Sequence, residues 1–338
     1  MIPASGPRPF LLLQVLSMST ATLDSPVPLR QDASVMGLVG LAHASSHFSH
    51  LLLPIMFPVF MKEFGWSFSE LGLLSTVFFV VSGVGQASAG FVVDRFGARP
   101  ILWASVVLLM LACLAASVST GYSGMVLAVV LAGLGNCAFH PVDFTILNQR
   151  ISTPRLGYAF SVHGLTGNLG WAAAPVFMMG ISALTHWRTA YLAAAVLYAG
   201  ILALLVLRKD LLHTTPRPKV QPGHSGESDL AFIRLPVVWW CFAFFLLSTM
   251  TLAVIQNFSV PILKAMQNVS LETASMTLTA YMLCGAMGML GGGFVAARFP
   301  RWSDRVVASC MTAAALFMAV SASGVFGSQG TLVVLAAT

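Results

Sequence analysis

GFVVDRFGARP, residues Gly90 to Pro100, is echoed by GFVAARF, residues Gly293 to Phe299, and this pair of stretches decides how the chain is organised. Displacing the sequence by 203 positions sets Ser67 on Ser270, Gly85 on Gly288, Gly90-Phe91-Val92 on Gly293-Phe294-Val295 and Arg95-Phe96 on Arg298-Phe299. Pro58 meets Pro261 in the same register without a gap. The chain therefore reads as a tandem duplication.

Its solvent is lipid. Of 338 residues 57% are hydrophobic and only 8% charged, with a mean hydropathy of +0.85, whereas a soluble domain devotes about a quarter of its residues to charge. So few charges cannot cover a water-facing surface. The five cysteines, Cys113, Cys137, Cys241, Cys284 and Cys310, sit inside apolar runs without metal-ligand spacing and read as small apolar side chains. The net charge of +6 comes from basic residues scattered singly at the ends of apolar runs, which is not the clustered, aromatic-interleaved pattern of a nucleic-acid binder.

Runs of roughly 20 apolar residues suffice to cross a bilayer, and the sequence predicts helices near 35–61, 69–92, 100–119, 123–147, 157–183, 187–207, 236–263, 271–297 and 303–323, with a tenth beginning near 330. Residues 208–235, rich in Pro, Gly and charge, read as a flexible cytoplasmic linker. With the N-terminus inside, 14 of the 17 Lys and Arg residues fall on the cytoplasmic side and 3 outside, as the positive-inside rule requires. The expected fold is an all-α membrane protein of two six-helix bundles related by a pseudo-two-fold axis along the membrane normal. The expected divisions are a disordered tail over 1–34, a first bundle over 35–207, the linker, and an incomplete second bundle over 236–338.

The opening stretch, with Gly90, Asp94, Arg95, Gly97 and Arg99, resembles the signature that the major facilitator superfamily carries between its second and third helices. The resemblance covers essentially everything from Met36 onward. It implies a twelve-helix transporter in which the aspartate charges and caps a helix end of the opposite bundle to lock the outward-facing state. The second copy has Ala297 at the aspartate position, so only the first half would carry this lock. GLGNCAFHP, Gly133 to Pro141, and RLGYAFSVHGLTGNLGWAAAP, Arg155 to Pro175, are similar to the fosmidomycin-resistance-like branch, whose fourth helix carries a Phe-His-Pro sequence, here Phe139-His140-Pro141. The pattern departs from the proton-coupled drug antiporters at Val129, where they place an arginine, and at Ala174-Pro175, where they have Gly-Pro. The sequence stops at TLVVLAAT, Thr331 to Thr338, inside the tenth expected helix, and reads as a C-terminally truncated member lacking the last two.

Ionisable side chains inside a span are costly and mark cavities or bundle interiors. In the first predicted helix His43, His47 and His50 follow at steps of four and three, a narrow stripe on a helix. In the fourth, Asn136, His140 and Asp143 repeat that spacing, with Pro141 loosening the helix between them. Helices one and four of a bundle line the cavity in the family, so the two stripes are expected to converge and to bind a proton or an anionic group of the solute. Against this stands the plainer reading of each histidine as a satisfied interhelical hydrogen bond. A zinc site from the three first-helix histidines lacks a completing carboxylate or cysteine nearby, and no metal or cofactor is expected. In the fifth helix Gly167, Gly170 and Ala174 share the face of His163, and in the eighth Gly285, Gly288 and Gly292 form a second stripe. Such stripes suit either a sliding contact between bundles or tight packing within one. Gln256 and Asn257 are further polar candidates.

The function expected is secondary active transport of a small organic solute by alternating access, driven by protons, in a monomer lying in the bacterial inner membrane. No nucleotide-binding GxxxxGK[ST] sequence is present to power a primary pump. A drug or antibiotic efflux antiporter of the same fold, a membrane-embedded metal-dependent enzyme and a non-transporting solute sensor are the alternatives. The enzyme explains neither the duplication nor the loop aspartate.

Overall fold

The computed structural model describes residues 28–216 and 231–338. Residues 1–27 of the tail expected over 1–34 and the middle of the expected linker, 217–230, lie outside the described residues. The remainder is helical. Helix α1 spans Leu29–Phe64, α2 Phe68–Phe96, α3 Ala98–Val118, α4 Tyr122–Arg150, α5 Leu156–Leu184 and α6 Trp187–Leu207. Beyond the undescribed segment come α7 (Pro236–Gln267), α8 (Leu271–Arg298), α9 (Ser303–Ser323) and the shorter α10 (Gly327–Ala337). Among the described residues nine helices, α1 to α9, are long and apolar enough to cross a membrane, so this is a multi-pass membrane protein.

Two prolines break these helices where their chemistry demands. Proline has no N–H to donate four residues back. At Pro54 α1 passes through a 3-10 turn, Pro54–Met56, before resuming at Phe57. Pro141 leaves the carbonyl of Cys137 without its helical donor, and α4 accordingly stops at Asn136 and restarts at Phe139. The other end of α1 differs from expectation: it begins at Leu29, not near 35, directly after Pro28. The first two turns carry the fully buried Asp32, whose carboxylate accepts from Arg155 (2.8 Å) and Ser152 (2.6 Å) at the entry to α5. A buried carboxylate needs such partners.

The duplication is visible in the turns. Ser67 and Ser270 each cap the following helix, their hydroxyls accepting from the backbone N–H of Glu70 (3.3 Å) and Thr273 (3.1 Å). Where the copies diverge, the backbone follows: Gly97 adopts φ +83°, open to glycine but barred to the proline at the corresponding position 300. The chain there makes a 3-10 turn, Pro300–Trp302.

The core is concentrated in the first half. Helix α1 packs on α5, α3 on α4 and α6, and α5 turns its other side to α8. Trp187 and Tyr198 of α6 are the largest wholly buried side chains, and the Tyr198 hydroxyl donates to the carbonyl of Ser45 at 2.7 Å. At the end of α1 opposite Asp32, Glu63 accepts from Arg188 (2.9 Å) and Trp187 (2.5 Å) at the start of α6. By contrast α9 buries none of its apolar window and α7 only 6%. Large apolar side chains left exposed, such as Trp240 of α7 and Leu316 of α9, are stable only against hydrocarbon.

The head of the expected linker is not free. Residues 209–212 form a 3-10 turn, and Thr214 accepts the backbone N–H of Ala98 at 2.9 Å. Arg99 and Arg150 donate to the carbonyls of Lys209 and Asp210, both at 3.3 Å. This segment therefore packs against the signature loop.

Candidate functional site

The two polar stripes expected in the first half do meet, and α5 adds a third edge. His43, His47 and His50 from α1 face Asn136, His140 and Asp143 from α4 and His163 and Trp171 from α5, with neighbouring rings 3.5 to 6.2 Å apart. His43 and His163 stack at 3.5 Å.

Hydrogen-bond partners fix the protons on several rings. The indole N–H of Trp171 donates to His50 Nδ1 (3.3 Å), so Nδ1 must be the acceptor and Nε2 the N–H, which donates to Asn136 Oδ1 at 3.0 Å. Ser46 also donates to that oxygen (2.5 Å), while the Asn136 amide donates to Ser82 (2.8 Å). His50 and Asn136 are thus locked in a satisfied network. His43 Nδ1 lies 2.8 Å from the carbonyl oxygen of His163 and must carry the proton there; its Nε2 is buried with no hydrogen-bond partner among the described residues. His163 Nε2 donates to Asp143 Oδ2 at 3.1 Å, and the carboxylate is wholly buried. Ser46, Ser82 and Trp171 are site residues the sequence did not single out. Only tryptophan gives a hint, because its N–H seldom goes into a core without an acceptor.

Room for the rings comes from α5. A Cβ on Gly167 would lie 2.8 Å from the His47 ring and 2.9 Å from that of His43, and one on Gly170 would strike the backbone carbonyl of Ala44. The glycine stripe of α5 therefore serves tight packing inside the first half. The contact with α8 uses a different face, where Gly164 and Asn168 meet Met289 and Thr279 donates to the carbonyl of Ala172 at 3.3 Å. Of the α8 stripe glycines Gly285, Gly288 and Gly292, the first alone faces α5, a Cβ there lying 3.7 Å from Asn168 Oδ1.

Between the halves lies a cavity of about 1060 Å³ bounded by α1, α2, α4 and α7. Of the sequence candidates, His50, Asn136, His140 and Asn257 line it, whereas His43, His47, Asp143, His163 and Gln256 do not. Gln256 and Asn257 are both buried, with Gln256 Nε2 and Asn257 Oδ1 unpartnered among the described residues. Phe79, Phe242, Phe245 and Phe258 make the apolar wall, and no Lys, Arg, Asp or Glu lines the space among the described residues.

The signature loop lies at the arginine-rich end. Gly90 lies on α2, Asp94 and Arg95 on its last turn, and Gly97 and Arg99 on the turn into α3. A carboxylate at a helix C-terminus opposes the helix dipole by about 0.3–1 kcal/mol, so Asp94 gains nothing from the dipole of α2.

These features define a polytopic membrane protein of two like helical halves around a shared cavity. The chain belongs to the Major Facilitator Superfamily, whose model matches residues 39–338. It is 23% identical over 294 residues to the fosmidomycin resistance protein of Escherichia coli (strain K12), covering 82% of this chain and 68% of that one. It is 26% identical over 142 residues to the uncharacterized MFS-type transporter YfnC of Bacillus subtilis (strain 168), covering 42% of this chain but 34% of the relative. The fold is that of a bacterial homolog of the human lysosomal transporter Spinster in an inward-facing, unoccupied conformation, with a TM-score of 0.69 at 15% identity over 93% of this chain and 73% of the other.

Proposed function

We propose that the protein is a secondary active transporter that moves a small organic solute by alternating access, with the proton as the driving ion. The observation that carries this reading is the cavity between the halves, walled by polar groups of α1 and α4 on one side and by α7 on the other. Two halves joined chiefly through α5 and α8 can tilt about that contact, and the small residues at it, Gly164 and Gly285, let the backbones slide. His50, Asn136, His140 and Asn257 are placed against the solute, while His43, His47, Asp143, His163 and Gln256 form the layer behind. The loop bearing Gly90, Asp94, Arg95, Gly97 and Arg99 serves as the gate at the cytoplasmic end. The excess of Lys and Arg at that end supports an N-terminus inside the bacterial inner membrane, and the chain acts as a monomer.

Counterflow in proteoliposomes tests the reading. Vesicles preloaded with one of a panel of small organic acids, fosmidomycin included, should accumulate the same labelled acid, faster under an imposed pH gradient. Absence of counterflow for the whole panel contradicts it.

A further inference from the structure

We propose that the first half holds a site for a divalent transition-metal ion, zinc being the type case, built by His43 of α1, His140 of α4 and His163 of α5. This goes beyond transport and does not depend on it. One ring nitrogen of each histidine lies within 4.8 Å of the others. The trio differs from the first-helix stripe of His43, His47 and His50, and no single helix could have revealed it.

The proton positions leave a ring nitrogen lone pair free on two of the three histidines. His43 spends its Nδ1 proton on the carbonyl of His163, so its buried, unpartnered Nε2 presents a lone pair. His163 spends its Nε2 proton on Asp143, so its Nδ1 does the same. Asp143 supplies the remaining feature of such a site: a carboxylate bonded to the far nitrogen of a ligating histidine fixes its tautomer and strengthens it as a ligand. Its buried negative charge also offsets part of the cation's charge, since Asp143 Oδ1 has no other partner among the described residues.

The set fits an imidazole-preferring ion. Zinc holds nitrogen donors at about 2.0–2.1 Å, hence about 3.3 Å from one another in a tetrahedron. The stacked rings of His43 and His163, already 3.5 Å apart, must turn out of their stack to aim at one ion, and the ligating nitrogens must draw together by up to about 1.5 Å, measured from the 4.8 Å bound. His140 can make that move, because it is only partly buried and lines the inter-half cavity, which is also the entry path. Three protein ligands leave a fourth position open toward the cavity. His50 takes no part, being held by Trp171 and Asn136.

The test is zinc binding to the chelator-stripped, tag-free full chain in detergent, read by titration calorimetry and by the rise in melting temperature that a ligand of the folded state must cause. One equivalent should bind to the wild type. His43→Gln and His140→Gln should abolish the calorimetric signal and the thermal shift, Asp143→Asn should weaken binding about 10–100-fold, and His50→Gln should leave it intact. His140 is the partly exposed ligand, so H140Q should fold even where H43Q does not. Failure of the wild type to bind zinc overturns the proposal. So does binding that survives H140Q, or binding lost in H50Q with its fold retained.

Discussion

Gly65 and Asn268 stand 203 positions apart, and each closes the first helix of its half in the left-handed conformation, with φ of +70° and +50°. Asparagine is the residue after glycine that tolerates that region best, so the same turn survived a change of side chain. Asn268→Gly should be neutral or slightly stabilising, whereas Gly65→Val and Asn268→Val should each cost about 1–2 kcal/mol. Thermal unfolding of the purified protein in detergent measures this. Equal tolerance of valine at both positions would refute the assignment.

The α1–α5 contact makes an ordered prediction. Gly170→Ala places a methyl group against the backbone of Ala44, which cannot turn aside, whereas Gly167→Ala meets imidazole rings that can. Overpacking of this kind costs about 1–3 kcal/mol. G170A should therefore destabilise more than G167A, while G288A, with open space around it, should change little. Melting temperatures of the three variants give the order directly.

Asp32 and Arg155 are unequal partners, the carboxylate wholly buried and the guanidinium side chain 32% exposed. Arg155→Ala strands a buried charge, a loss of about 3 kcal/mol or more. Asp32→Ala leaves an arginine that can reach water and should cost nearer 1 kcal/mol. A double-mutant cycle in thermal unfolding should show the double variant close to D32A alone. Additive losses would mean the pair is not coupled.

Much of this was legible in the residues, for reasons that differ from place to place. Hydropathy marks spans well because the bilayer leaves the backbone no alternative to helix, and the Ser67 and Ser270 caps keep the register of the repeat. The four-then-three spacings put His43, His47 and His50 opposite Asn136, His140 and Asp143 because a helix face is a local property. Which neighbour a face meets is not local: the α5 glycines carry the right spacing for two different contacts, and only the packed structure assigns them to α1. Asp32 sits among the Pro and polar residues of an apparent tail, and nothing near it announces Arg155, 123 residues away. Trp171 turns the stripe into a network by fixing the proton on His50, an effect of geometry that spacing does not encode.

Movement of the halves about the α5–α8 contact is the claim on which the transport reading depends. Spin labels at Ser69, opening α2, and Met266, in the last turn of α7, span the two halves, and Ser69 with Thr120 gives a reference pair within the first. Double electron–electron resonance on the reconstituted chain, its own cysteines replaced, should give two distances for the first pair, their ratio shifting with pH or added solute, and one for the second. A single unchanging distance for both pairs under every condition would contradict the account.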